Sequence, residues 1–428
     1  MYSLYHFAKH KHTRNIVLAS LLPFLSGYAV ANIEQPASSG LSAALQATLK
    51  HHPSVQAAKS ELRVHEHGID SAKAGRLPSL SLQANTLTKG YTQSTLTMQQ
   101  PLWAFGKIDN EIELSQVNYR TEQYNVLKVQ RQLLEDTAVA YAKVEGVSQR
   151  LQVTDQNIEE HERLHQRVER RRQGQLASEA DVNIAYSRLI QAYAQRERVR
   201  AELQVALSEL QALTQVKVNA NLAVSEQLEL SPINTAFNTK QLAKTASANV
   251  AYQRERLNVV QLGVNKEKIS IMPTLFFRVE QELLDTPSNT DKTRAGLVLQ
   301  ANLEGLGFAH QGRTKSALAR LDAAEQDLDV TSNELERKIN TLILNRDLQL
   351  KLQTSQQKAV EAIQATLDSF LRQYETGRKS WVEVLNTQRD LTEQRLQQSQ
   401  INNEWLVFSL RIKAITGQLD SLAGIEAL

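Results

Sequence analysis

The chain is predicted to be mostly α with a small β part: long antiparallel coiled-coil helices accompanied by four short, two-faced strands. Three observations predict this. The eight prolines fall at 23, 36, 53, 78, 101, 232, 273 and 287, which leaves 102–231 and 288–428 free of the residue that breaks helices. Aromatic residues make up only 5% of the 428 positions, and the proline-free tracts are rich in Gln, Leu, Ala, Arg and Glu, a composition of long helices. The layout also repeats: Leu96, Gln99 and Leu102 map onto Leu297, Gln300 and Leu303, and Ser178 and Val182 onto Ser380 and Val384.

Residues 1–31 carry Lys9, Lys11 and Arg14, then an apolar run from Ile16 to Val30, then Ala29-Val30-Ala31, the pattern of a cleaved secretory signal peptide. Without them 46 basic residues face 46 acidic ones, so no electrostatic footprint for nucleic acid remains. The absence of cysteine excludes a disulfide framework, a thiolate metal site and an acylated lipoprotein anchor.

The first repeat (32–215) opens with a helix that ends at Gly75, followed by a hairpin over 77–103. There Leu80, Leu82 and Ala84 alternate with Ser81, Gln83 and Asn85, a period of two. A long helix (107–173) and a return helix (178–214) follow. A linker (216–239) leads into the second repeat (240–418), with a helix, a hairpin over 273–304, a long helix (312–376) and a return helix (380–417). Residues 419–428 read as a C-terminal tail. Leu321, Leu328, Leu335 and Leu342 mark a heptad seam, and each long helix would reach roughly 100 Å at ~1.5 Å per residue.

Both long helices break at similar stretches, "RRQGQLASEADV" and "YETGRKSWVEVL". Gly174 and Gly377 are expected as left-handed C-caps, and Ser178 and Ser380 as N-caps of the return helices. Strands of about ten residues with one apolar face suit a tilted membrane crossing, yet four cannot close a barrel, so several chains must pool them. Trp103, Phe105, Phe276 and Phe308 lie near strand ends, where an interfacial aromatic girdle would sit.

The duplicated layout, the strand exit "QPLWAFGK" and above all "YETGRKSWVEVLNTQRDL" resemble the TolC-type outer-membrane efflux and secretion channels, over residues 41 to about 418. The resemblance implies a homotrimer with a twelve-stranded barrel in outer-membrane lipid and a helical barrel across the periplasm. It also implies a periplasmic adaptor and an inner-membrane ABC or proton-driven transporter as partners, serving type I protein secretion or multidrug efflux. "PLWAFGK" looks more like the secretion branch. By the same resemblance Glu383 takes the acidic ring position of the pore constriction, and Asn386 the second ring position, where an acid is found in the family's best-known member. Asp181, Tyr374 and Lys379 take the places of links between hairpins that hold the gate shut, with Lys for the family's Arg. Gly174, Ser178, Gly377, Arg378 and Ser380 form the adaptor-docking tips.

"HERLH" (161–165) matches the H-E-x-x-H zinc motif formally. A catalytic zinc needs a third protein ligand, and no downstream HxxGxxH supplies it. No phosphate loop, nucleophile elbow or carboxylate pair stands out, so neither enzymatic activity nor a cofactor is expected. The rival reading is a periplasmic coiled-coil adaptor or scaffold, which would normally carry one helical hairpin rather than two.

Overall fold

The computed structural model describes residues 40–86, 92–217, 236–283 and 293–425. The signal segment (1–31) and most of the linker lie outside these residues. Two short helices, α1 (Leu41–His51) and α2 (Pro53–Ala74), lead to strands β1 (Ser79–Thr86) and β2 (Thr92–Trp103). Then come the 67-residue α3 (Lys107–Gln173) and its return helix α4 (Glu179–Thr214). The second half repeats the order: α5 (Ala236–Ala246), α6 (Ala248–Ile269), β3 (Thr274–Glu282), β4 (Thr293–Gln300), the 68-residue α7 (Phe308–Glu375) and α8 (Trp381–Ile415). A one-turn helix, α9 (Asp420–Ala423), follows.

The helices lie side by side in one order at both ends. Toward the sheet, α2 packs on α3, α3 on α6, and α6 on α7; toward the far tips the order is α4, α3, α8, α7. The two long helices therefore run the length of the bundle while short helices take turns beside them. Three clusters of buried side chains hold this together. The largest joins Leu134, Ala138 and Val144 of α3 to Val199, Leu203 and Leu210 of α4 and to Leu410 of α8, and Leu41 and Leu45 close it from α1. Small residues on α4, Ala185, Ala192 and Ala206, are almost wholly buried and permit close approach.

The strands form one antiparallel sheet in the order β1-β2-β3-β4. Register puts Leu82 opposite Leu96, Leu80 opposite Met98, Met98 opposite Val279, and Phe277 opposite Leu297. Side chains alternate across a strand, so these apolar groups share one face. Thr97, Glu280 and Arg278 share the other. Pro101 lies in a central strand, where its missing N–H would break a ladder bond, and it sits where the pairing shifts between Pro101 and Trp103.

Four expectations need correction. The second hairpin was expected to extend to 304, but β4 ends at Gln300 because its partner Thr274 is the first residue of β3, and Gly305, Leu306 and Gly307 then turn left-handed at φ of 56°, 55° and 93°. The second long helix consequently starts at Phe308 rather than 312, and Phe308 belongs to that helix, not to a strand end. At the first tip Gly174 is not left-handed, with φ −82°; the left-handed residue is Gln175, at φ 57°. At the second tip Gly377 does fill that role, at φ 75°. The two turns superpose as Gly174 on Thr376 and Gln175 on Gly377. Their closing bonds match, Leu176 N donating to Arg171 O at 2.8 Å and Arg378 N to Gln373 O at 2.9 Å. Finally, residues 419–425 are no tail: Leu419 and Ala423 are buried in the main core, and Arg131 grips Asp420 with Nη2 to Oδ2 at 2.6 Å.

Candidate functional site: the hairpin tips and the exposed sheet face

The return helices both begin with a reciprocal cap. Ser178 Oγ accepts from Asp181 N while Asp181 Oδ2 accepts from Ser178 N, and Ser380 does the same with Glu383. The carboxylates thus satisfy backbone donors that no helical carbonyl can reach. Glu383 has a further partner, Lys379, whose Nζ donates to Oε1 at 2.7 Å. The Lys379 bond, then the Ser380 backbone and hydroxyl, hold the Glu383 carboxyl down to about 2, so it stays ionised in any ordinary buffer. Lys379 also lies 4.3 Å above the Phe370 ring, which fixes its direction.

Beneath the caps lies an apolar plug that joins all four helices. Leu164 and Val168 of α3, Val182 and Ala185 of α4, Leu367 and Tyr374 of α7, and Trp381, Val384 and Leu385 of α8 form one cluster. Tyr374 and Trp381 meet at 4.7 Å between ring centroids, and Arg171 covers the other ring contact of Tyr374 at 4.7 Å. Burial pushes the Tyr374 hydroxyl above its usual range.

Within one chain Asp181 lies near enough to Tyr374 to act on its hydroxyl, but among the described residues no hydrogen bond or ion pair joins Asp181, Tyr374 and Lys379. Asp181 is occupied by its own cap, and Lys379 by Glu383. At the tips the polar contacts between the two hairpins come from Arg167 and Arg171 of α3. The first lies 3.7 Å from the Glu375 carboxylate, and the second donates to the Glu375 carbonyl at 3.5 Å. Four arginines crowd the end of α3, at 167, 170, 171 and 172, and nothing local in the sequence marks which of them turn toward Glu375. Asn386 sits part-buried one turn beyond Glu383 and contributes no charge. Arg378, Gly174 and Gly377 lie on the exposed turns themselves.

At the opposite end, the apolar face of the sheet is bare. Leu80, Leu82, Leu297 and Leu299 are each 65% to 69% exposed, far more than a soluble sheet tolerates on a face this apolar. Trp103 stacks on Phe105 with centroids 4.8 Å apart and lies on this face beside Leu275. Phe276 does not: it pairs with Pro101 and Val298 on the polar face, so it cannot join an outward girdle. Among the described residues no helix is long and apolar enough to cross a membrane.

The zinc motif dissolves in three dimensions. Tyr193 donates to Glu162 at 2.5 Å, His165 tilts against Tyr186, and His161 is buried with only 4% exposure. Among the described residues no group of three potential ligands forms.

The model of the family described as outer membrane efflux protein matches residues 44–215 and 241–418. The chain is 19% identical to the outer membrane efflux protein BepC of Brucella suis, over 96% of its own length and 91% of that protein's. Among solved structures it is similar to the outer-membrane channel OprN (TM-score 0.74, 18% identity, 88% of this chain and 89% of that one). It is also similar to VceC from Vibrio cholerae (TM-score 0.73, 16% identity, 88% and 96%). The duplicated hairpins, the capped tips and the bare apolar sheet face are thus features of an outer-membrane export channel rather than of an enzyme, and the chain belongs to the outer membrane efflux protein family.

Proposed function

We propose that three copies of this chain pool their sheets into one twelve-stranded barrel, continued below by a tube of helices that receives cargo from an inner-membrane transporter through a periplasmic adaptor. The observation that carries this is the sheet. Four strands leave β1 and β4 as open edges and expose one leucine-rich face, and a membrane admits strands only when closure removes every edge. The helices offer matching surfaces. On the outermost helices, α7 exposes Leu344, Leu348 and Leu352 at four-residue spacing, and α4 exposes Ile190 and Val205. A neighbour's α4 against α7 would bury both stripes.

Three Glu383 carboxylates would ring the periplasmic mouth, each offset by its own Lys379 at 2.7 Å. The ring is therefore weaker than three free acids, and Asn386 adds nothing to it. In planar bilayers Lys379→Gln is expected to increase the preference for cations, because it unmasks Glu383, while Glu383→Gln lowers it. Reversal-potential measurements in a salt gradient read both; selectivity unchanged in both variants contradicts the ring. Purified protein that forms no conducting pores contradicts the channel itself.

A further inference from the structure

About one helical stretch inward from the tips, α3, α4 and α8 diverge around a cavity of about 320 Å³. Its character differs from the apolar seams above and below. Asn157 and His161 come from α3, Arg188 from α4, and Arg389, Thr392 and Glu393 from α8. Asn157 is committed, since its Oδ1 accepts from Thr392 Oγ1 at 2.6 Å. His161 is not: the residue is 96% buried, and its Nδ1 has no hydrogen-bond partner. A buried imidazole nitrogen left bare is costly, so something polar is expected to meet it.

The charges say what that is. Among the described residues Arg188 forms no ion pair, and its Nη1 donates only to the Gln191 amide oxygen at 3.0 Å. Arg389 uses Nε and Nη2 on Asp390, at 3.3 and 3.0 Å, on the exposed side of α8. Two guanidinium groups thus border the cavity, Arg188 part-buried and without a carboxylate partner and Arg389 exposed and shared with Asp390, while Glu393 is exposed at the rim. Burial, then Arg188, pushes His161 down to about 4, so it is a neutral polar group in the wall. A planar fork of donors matches the oxygens of a carboxylate or phosphate group.

We propose that this cavity is a binding site for a small oxyanion, held between Arg188 of the first hairpin and Arg389 of the second with His161 behind it. An ion in this place ties the two hairpins to each other a short way above the gate. The site is independent of the proposed export role, since it needs only one chain.

The test is calorimetric titration of the purified full-length protein in detergent with inorganic phosphate, and in a second arm with acetate, in low-salt buffer. Saturable binding of one ion per chain is expected from at least one of the two. Arg188→Gln and Arg389→Gln should each weaken it about tenfold, the scale of a lost charge-assisted hydrogen bond. Arg188→Lys, which keeps the charge but loses the fork, should weaken it less, and Glu393→Gln should tighten it. Arg150→Gln, on α3 and paired with Glu202 of α4 at 2.8 Å outside the cavity, should leave it unchanged. Heat that never saturates with either ion, or a loss as large in Arg150→Gln as in Arg188→Gln, overturns the proposal and leaves only a diffuse counterion effect.

Discussion

Arginine in place of Leu82 or Leu297 is expected to stop the protein from accumulating in the outer membrane, while arginine at Thr97 leaves it inserted. The three positions lie on β1, β4 and β2 of one sheet, and register separates them: Leu82 and Leu297 stand on the bare apolar face, Thr97 on the face with Glu280. A cation facing lipid near the middle of a barrel wall costs about 2–4 kcal/mol, and a symmetric assembly meets that cost once in every copy. A lumen-facing arginine keeps its water. Membrane fractionation and resistance of the assembly to SDS provide the readout. If Thr97→Arg proved as damaging as Leu297→Arg, the assignment of the two faces would be wrong.

The second large effect lies far from lipid, where α3 crosses α8. Gly146 is buried in the middle of α3, and a Cβ there would stand 2.3 Å from Asn403 Cγ and 2.7 Å from its Cβ. The second of these atoms is fixed to the α8 backbone, so rotating Asn403 does not make room. Gly146→Ala should therefore lower stability by about 1–3 kcal/mol through overpacking. This outweighs the gain of about 1 kcal/mol that alanine normally brings to a helix interior. Asn403→Gly should recover most of the loss in the double variant, because both contacts vanish together. Denaturant or thermal unfolding of the four proteins measures the coupling. A Gly146→Ala protein more stable than the parent would mean that α3 and α8 do not approach this closely.

Much of this was legible in the sequence because local chemistry dictated it. The tip turns announced themselves through a glycine and a following Ser-x-x-acid, and the structure makes both reciprocal caps, Ser178 with Asp181 and Ser380 with Glu383. Alternation in the strands likewise told which leucines share a face. What escaped was chemistry that depends on distant partners. Gly146 is an unremarked residue until Asn403, far along the chain, lies against it. His161 stood in the sequence only as part of a formal zinc motif, and nothing local showed that α4 and α8 both border it in a buried position. The short C-terminal segment carries no long periodic pattern, so nothing local revealed that Leu419 fills a core or that Asp420 meets Arg131.

The second hairpin shows the converse error. Alternation continues past Gln300 to Glu304, but the glycines at 305 and 307 turn the backbone left-handed and start the helix early. The first tip repeats the lesson in miniature, since a glycine at 174 does not guarantee that glycine takes the left-handed position; Gln175 does, one residue later. Residue type sets what is inexpensive. Chain geometry decides which of the adjacent residues must adopt it.

The native chain has no cysteine, which allows the pooled barrel to be probed directly. Single cysteines placed in pairs, one on the outer edge of β1 near Ser81 and one on that of β4 near Val298, should form disulfides only between chains, because β1 and β4 lie at opposite edges of one sheet. Mild oxidation in membranes is predicted to give a covalent ladder that ends at three chains. Pairs that never cross-link at any register, or a ladder running past three, would contradict a closed trimeric barrel.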